Sequence, residues 1–142
     1  MKKFFSKAEE DIIIQSIQKV ESYCESEVRV HVDFADISIS PIDAAIKAFN
    51  RLGMHRTKNR NAVLILLLPD RKEFAVIGDI AIHEKVGDAF WNNLHQIMRM
   101  YFEDSRFVQG TCEAIECIGL ELIKYFPATS DHNELPDQIS YA

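Results

Sequence analysis

Only three cysteines occur among the 142 residues, Cys24, Cys112 and Cys117, with no C-x-x-C and no metal-type spacing. An odd set of this kind suits a reducing compartment better than a disulfide framework, and all three are expected as buried thiols. Five glycines and four prolines are too few for a fibrous or disordered chain. The longest apolar run, "AVLILLL", falls far short of the ~20 residues a helix needs to cross a bilayer. "MKKFF" begins like the basic part of a secretion signal, but "SKAEED" stands where the apolar part would follow. The chain is therefore expected to be cytoplasmic, with no membrane insertion. Positive charge is also scarce: 16 Lys and Arg face 22 Asp and Glu, for a net charge of −6. The basic residues are scattered, "MHRTKNR" being the densest group, so no nucleic-acid partner is expected.

The usual catalytic signatures are missing as well. There is no G-x-x-x-x-G-K-[ST], G-x-G-x-x-G, G-x-S-x-G or H-E-x-x-H, so nucleotide cradling, serine hydrolysis and zincin chemistry lack their machinery. Arg29 follows Cys24 one residue too closely for a cysteine-phosphatase loop. His31, on the polar face of a strand, His55, in a basic loop, His95 and His132 read as solvated. Only His83 follows closely on the acid of "FAVIGD", Asp79.

What is present is the composition of an ordinary folded domain, 47% hydrophobic and 27% charged, long enough to bury roughly 68–70% of the surface of its unfolded chain. Ser6 and Glu9 form a capping box ahead of Ile13, Ile17, Val20 and Cys24, which predicts an amphipathic helix over residues 6–24. "EVRVHVD" alternates strictly, with Val28, Val30 and Val32 on one face and Glu27, Arg29, His31 and Asp33 on the other, as a half-buried strand would. Ser40 and Pro41 open a second helix over 41–52, stopped by Gly53. "AVLILLL", apolar at every position, reads as a central strand covered on both faces. A strand, a helix and a strand imply that the first two strands are parallel. "PDRKE" is too short for a second crossover, so "FAVIGD" should run back antiparallel in a mixed sheet. Two long helices follow over 84–103 and 106–126, the second with Gly110 and Gly119 where another element comes close, and residues 127–142 form an extended tail on a single domain of 1–126.

The reversal of the third strand sorts the polar residues. Glu27, Arg60, Asn61 and Asp79 gather at one end of the sheet, with His83 and Glu84 close behind in sequence. Carboxylates plus an amide oxygen are hard ligands of the kind Ca²⁺ or Mg²⁺ selects. The structural alternative is that Asp79 caps the turn into the next segment, Glu84 starts a helix and Asn61 bonds a free backbone group.

In order, "SKAEEDIIIQSIQKVES", "SEVRVHV", "FNRLGMHRTKNRNAVLILLL", "FAVIGDIAIHEKVGDAFW", "GTCEAIECIGLELIKYFP" and "NELPD" span nearly the whole chain. This order resembles the TPM domain family, in particular its stand-alone, soluble bacterial members. The most specific pieces are T-x-x-R-N at Thr57 to Asn61, I-G-D at Ile77 to Asp79, the Phe90–Trp91 pair, and F-P followed by N-E-L-P-D. The resemblance implies a three-layer α/β/α sandwich around a small mixed sheet of about four strands, with four main helices. It also implies an association with divalent cations, chiefly calcium, and a relation to a thylakoid protein of photosystem II repair with acid phosphatase activity. Relatives often carry glycine where this chain has Ala81.

Three functions follow as expectations. The first is a divalent-cation-binding domain with Asp79, Glu27, Asn61 and Glu84 as oxygen ligands. The second is a metal-assisted phosphomonoesterase in which Arg60 grips the phosphate. The third is an interaction module whose tail or first strand, lying at an open sheet edge, docks a protein partner.

Overall fold

The structure, a computed structural model, describes residues 3–34, 38–129 and 139–142. The first helix, α1, spans Lys7–Glu21, and its capping box is complete. Ser6 Oγ accepts from the Glu9 amide at 3.2 Å and Glu9 Oε1 accepts from the Ser6 amide at 2.9 Å, so two of the helix's orphan donors are satisfied. Ile13, Ile17 and Val20 are the buried stripe.

Strand β1 (Val28–Val32) pairs in parallel with β2 (Val63–Leu68), and β3 (Glu73–Gly78) runs antiparallel to β2. Helix α2, Pro41–Arg51, is capped by Ser40 and makes the crossover between the parallel strands. The sheet is mixed and four-stranded, in the order β3-β2-β1-β4, the last strand being Ser140–Tyr141. β2 is buried at all six positions because each of its faces meets a different core. Val63, Ile65 and Leu67 pack with α1 and the two C-terminal helices, while Leu64, Leu66 and Leu68 pack with Ala45, Ala48 and Phe49 of α2. These are the three layers of an α/β/α sandwich with four helices.

Helix α3 spans Ile80–Glu103 and α4 spans Phe107–Tyr125. α3 starts four residues earlier than the expected 84 because Asp79 supplies the cap, and it breaks at Gly87, whose φ is 71°, a conformation that glycine adopts without steric cost. Ala81 needs no such freedom: it lies in the first turn, with its amide on Arg60 O at 2.9 Å. Among the described residues no helix is long and apolar enough to cross a membrane.

Two expectations about β1 are corrected. It is not a half-buried strand, since Glu27 and His31 are 1% and 2% exposed, and it is not an edge, since β4 pairs along its outer side. Arg51 of α2 and Ser140 of β4 close over the supposedly solvated His31, with His31 Nε2 3.4 Å from Arg51 Nη2 and Nδ1 2.7 Å from Ser140 Oγ. Arg51 can only donate, so Nε2 accepts and Nδ1 carries the proton that it donates to Ser140. Arg29 Nε also donates to this hydroxyl at 3.2 Å, and Tyr141 donates to Glu10. All three cysteines are free, but Cys112 and Cys117 are only half-buried; Cys24 is fully buried, and burial pushes its thiol up to about 11. His132 and N-E-L-P-D lie outside the described residues.

Candidate functional site

The register places Val63 opposite Gly78, and the Asp79 amide donates to Ala62 O at 2.9 Å. The amide that leads β2 and the acid that trails β3 therefore share one rim of the sheet. They do not share a face. Ala62 belongs to the core under α2, so by strand alternation Asp79 and Glu27, in register on either side of it, point to the α2 face, and Asn61 to the other. Asn61 Nδ2 donates to Glu25 O at 2.9 Å, next to Asn59 Nδ2 on the same carbonyl at 3.2 Å, while Ser26 Oγ donates to Asn61 O at 2.8 Å. Asn61 thus ties the turn before β2 to the turn before β1. Glu84 is exposed on α3.

Asp79 has two partners. Arg60 Nε and Nη2 grip its Oδ2 and Oδ1 at 2.7 and 2.9 Å, and Oδ1 also accepts from the Ile80 amide at 2.8 Å. The Asp79 side chain is 5% exposed and the Arg60 side chain 43%, which makes this a half-buried, bidentate ion pair. Hydrogen bonding to Asp79 raises the guanidinium above its ordinary pKa. Arg60 sits at φ 50°, an uncommon conformation for a residue with a Cβ.

This pair lines a cavity of about 260 Å³ with Asn50, His55, His83 and an apolar wall that includes Ile46 and Ile77. His55 Nδ1 is buried without a hydrogen-bond partner among the described residues. His83 accepts from Trp91 Nε1 at 3.0 Å, and Trp91 lies so close to Gly78 that an added Cβ there would sit 2.7 Å from its ring. Sequence reasoning placed His83 here but missed His55 and Asn50, whose approach depends on how α2 docks and leaves no local pattern.

The donor set suits a hard cation in kind, but its placement is partial. Only Asp79 and Glu27 share a face, and no group of three or more His, Cys, Asp or Glu side chains positioned to hold a metal occurs among the described residues.

A small α/β/α sandwich with a mixed sheet, an I-G-D turn capping α3 and an arginine latch on its aspartate defines the class. The sequence matches the TPM domain family over residues 1–120, and the chain belongs to it. It is similar to the BA42 protein of the psychrophilic bacterium Bizionia argentinensis, at 34% identity and a TM-score of 0.90, covering 100% of this chain and 98% of that one. Two more distant structures share the fold. One is the N-terminal domain of the cg2496 protein of Corynebacterium glutamicum, with 13% identity, a TM-score of 0.67, and 93% and 83% of the two chains covered. The other is an N-terminal domain from P. gingivalis, with 17% identity, a TM-score of 0.65, and 92% and 82% covered. No curated protein matches.

Proposed function

We propose that this TPM domain binds a divalent cation, Ca²⁺ or Mg²⁺, at the rim where Asp79 and Glu27 flank Ala62. The supporting observation is that these two residues, 6% and 1% exposed, lie in register on one face with only an alanine between them. Across two strand spacings their Cα atoms are roughly 10 Å apart, a gap that an Asp and a Glu side chain reaching over a methyl group span with one cation between them. Asn61, on the other face of the sheet, and Glu84, exposed on α3, lie outside this pair. Arg60 holds the place of the cation at Asp79, so an incoming ion and the guanidinium compete for the same oxygens.

The competition makes a signed prediction for calcium titrations followed by amide NMR shifts. Asp79→Asn abolishes the shifts around Ala62 and Ile80. Arg60→Met, which removes the competitor while keeping an apolar stem, tightens binding by about tenfold. If both variants titrate like wild type, the rim is not the site.

A second reading rests on Arg60, His55 and His83 lining the one cavity: a phosphomonoesterase with Arg60 as the phosphate clamp. Phosphate release from a generic aryl phosphate is then expected to fall about a hundredfold in Arg60→Ala. Turnover that survives that substitution discards this reading.

A further inference from the structure

The sheet has one long edge that no strand of the described residues covers, the outer side of β3. The hydrogen bond from the Asp79 amide to Ala62 O marks a hydrogen-bonded pair, and pair types alternate along an antiparallel ladder. Glu73, Ala75 and Ile77 therefore turn their backbone groups toward β2, while Phe74, Val76 and Gly78 turn theirs outward. Natural sheets blunt such edges with proline, bulges or charges in mid-strand. β3 has none of these over "FAVIG", and its middle is Ala75, Val76 and Ile77.

The edge forms one side of a groove of about 550 Å³ between α2 and α3, walled by Pro41, Ile42, Phe74, Val76 and Trp91. Ile42 on this wall is about half exposed, as are Ile46, one turn further along α2, and Ile80 at the start of α3, which line the cavity beside Asp79. At the other end, Glu73 pairs with Arg71 and Glu103 with Arg99. Lys72, which lines the groove, is left without a carboxylate partner among the described residues.

We propose that this groove docks an extended peptide of a partner protein, added to β3 as a further strand, with alternate apolar side chains and an acidic residue beside Lys72. The commitment to a peptide comes from the edge itself. Outward N–H and C=O groups that recur every second residue are matched by the backbone of another extended chain, which small apolar ligands lack. The acidic residue follows from Lys72, which lines the groove with no carboxylate paired to it among the described residues. The inference does not rest on the cation reading, although Ile46, Gly78 and Ile80 also line the cavity beside Asp79.

The test uses the full chain, isotope-labelled, with two capped probe peptides of alternating valine and threonine, one ending in aspartate and the other its reversed sequence, so that both strand directions are offered. Expected are shifts and slowed hydrogen exchange at the amides of Phe74, Val76 and Gly78, with a shift of the Trp91 indole. Binding should be lost in Val76→Pro, which removes an outward N–H without breaking the ladder to β2. Ile42→Asp, on the helix wall and harmless to the strand, should weaken it as well. Lys72→Glu should turn the preference toward a probe ending in lysine. The proposal is overturned by unmoved edge amides at millimolar peptide, or by equal binding of a probe N-methylated along its donor edge. It is equally overturned by sedimentation showing a dimer of this chain in which those three amides are already protected.

Discussion

Replacing Gly119 by leucine is expected to lower the free energy of unfolding by about 3 kcal/mol. Gly119 lies in the middle of α4, where it is buried against Val20 of α1. A Cβ at this position would sit 2.5 Å from Val20 Cγ2, 3.2 Å from Cγ1 and 3.4 Å from Cβ. Valine in a helix holds nearly a single χ1 rotamer, so it cannot swing aside. The helices must separate instead, which loosens the contact of Ile13 and Ile17 with Ile115 and Ile118 in the same core. The ~1 kcal/mol that leucine gains over glycine in helix propensity is too small to offset this. Urea unfolding in two backgrounds tests the cause. With Val20→Ala already in place the same substitution should cost about 1 kcal/mol or less, and equal costs in the two backgrounds would show that the close approach is not responsible.

Acidification should cost about 2 kcal/mol through His31 alone between pH 8 and pH 5. Burial, with Arg51 and Arg29 nearby and Asp33 opposing them, lowers its pKa from 6.5 to about 4. The unfolded chain therefore takes up a proton near pH 6.5 that the native chain refuses until about pH 4. Across that window the unfolded state binds more protons, so stability rises with pH and falls as pH drops. Below the folded value His31 contributes no further loss. Geometry gives the same sign, because protonating Nε2 removes the acceptor facing Arg51 and adds a cation between two arginines. Urea midpoints at the two pH values, compared between wild type and His31→Gln, isolate the effect. The glutamine variant should have the flatter profile, and parallel profiles would exclude His31 as its source.

Much of the architecture was legible from local pattern. The capping box at Ser6 and Glu9, Ser40 ahead of Pro41, the unbroken apolar run of β2 and the short turn before β3 each carry their meaning within a few residues. These predicted the helices, the parallel pair and the reversal, and the reversal in turn put Asn61 and Asp79 on one rim. Gly119 was also readable, since a glycine inside an apolar helical stripe is tolerated where another element needs its space. The early start and break of α3 were not, because the helical periodicity after Glu84 is equally compatible with a start at either side of Gly87.

The candidate site was legible only in outline. Strand alternation, applied after the Asp79–Ala62 pairing is known, turns Asn61 away from Asp79 and leaves Glu27 beside it. The sequence shows Arg60 next to Asn61 but contains nothing to say that its side chain crosses to Asp79, or that His55 comes down from the end of α2 into the same cavity. His31 misled for a related reason: an alternating strand predicts one wet face unless something distant covers it, and both covers, Arg51 and Ser140, come from elsewhere in the chain.

By itself, then, the sequence determined the existence and order of the four helices and three main strands, their relative directions, and which end of the sheet collects the oxygen-bearing side chains. Those features depend on backbone preferences and apolar periodicity acting over one or two turns. Only the tertiary structure decided that Arg60 latches Asp79, that β4 closes the edge of β1, that His31 is dry, and that among the described residues no strand covers the outer side of β3. Each of these joins residues whose separation along the chain carries no information about their distance in space, and each is set by how whole elements dock to bury apolar surface.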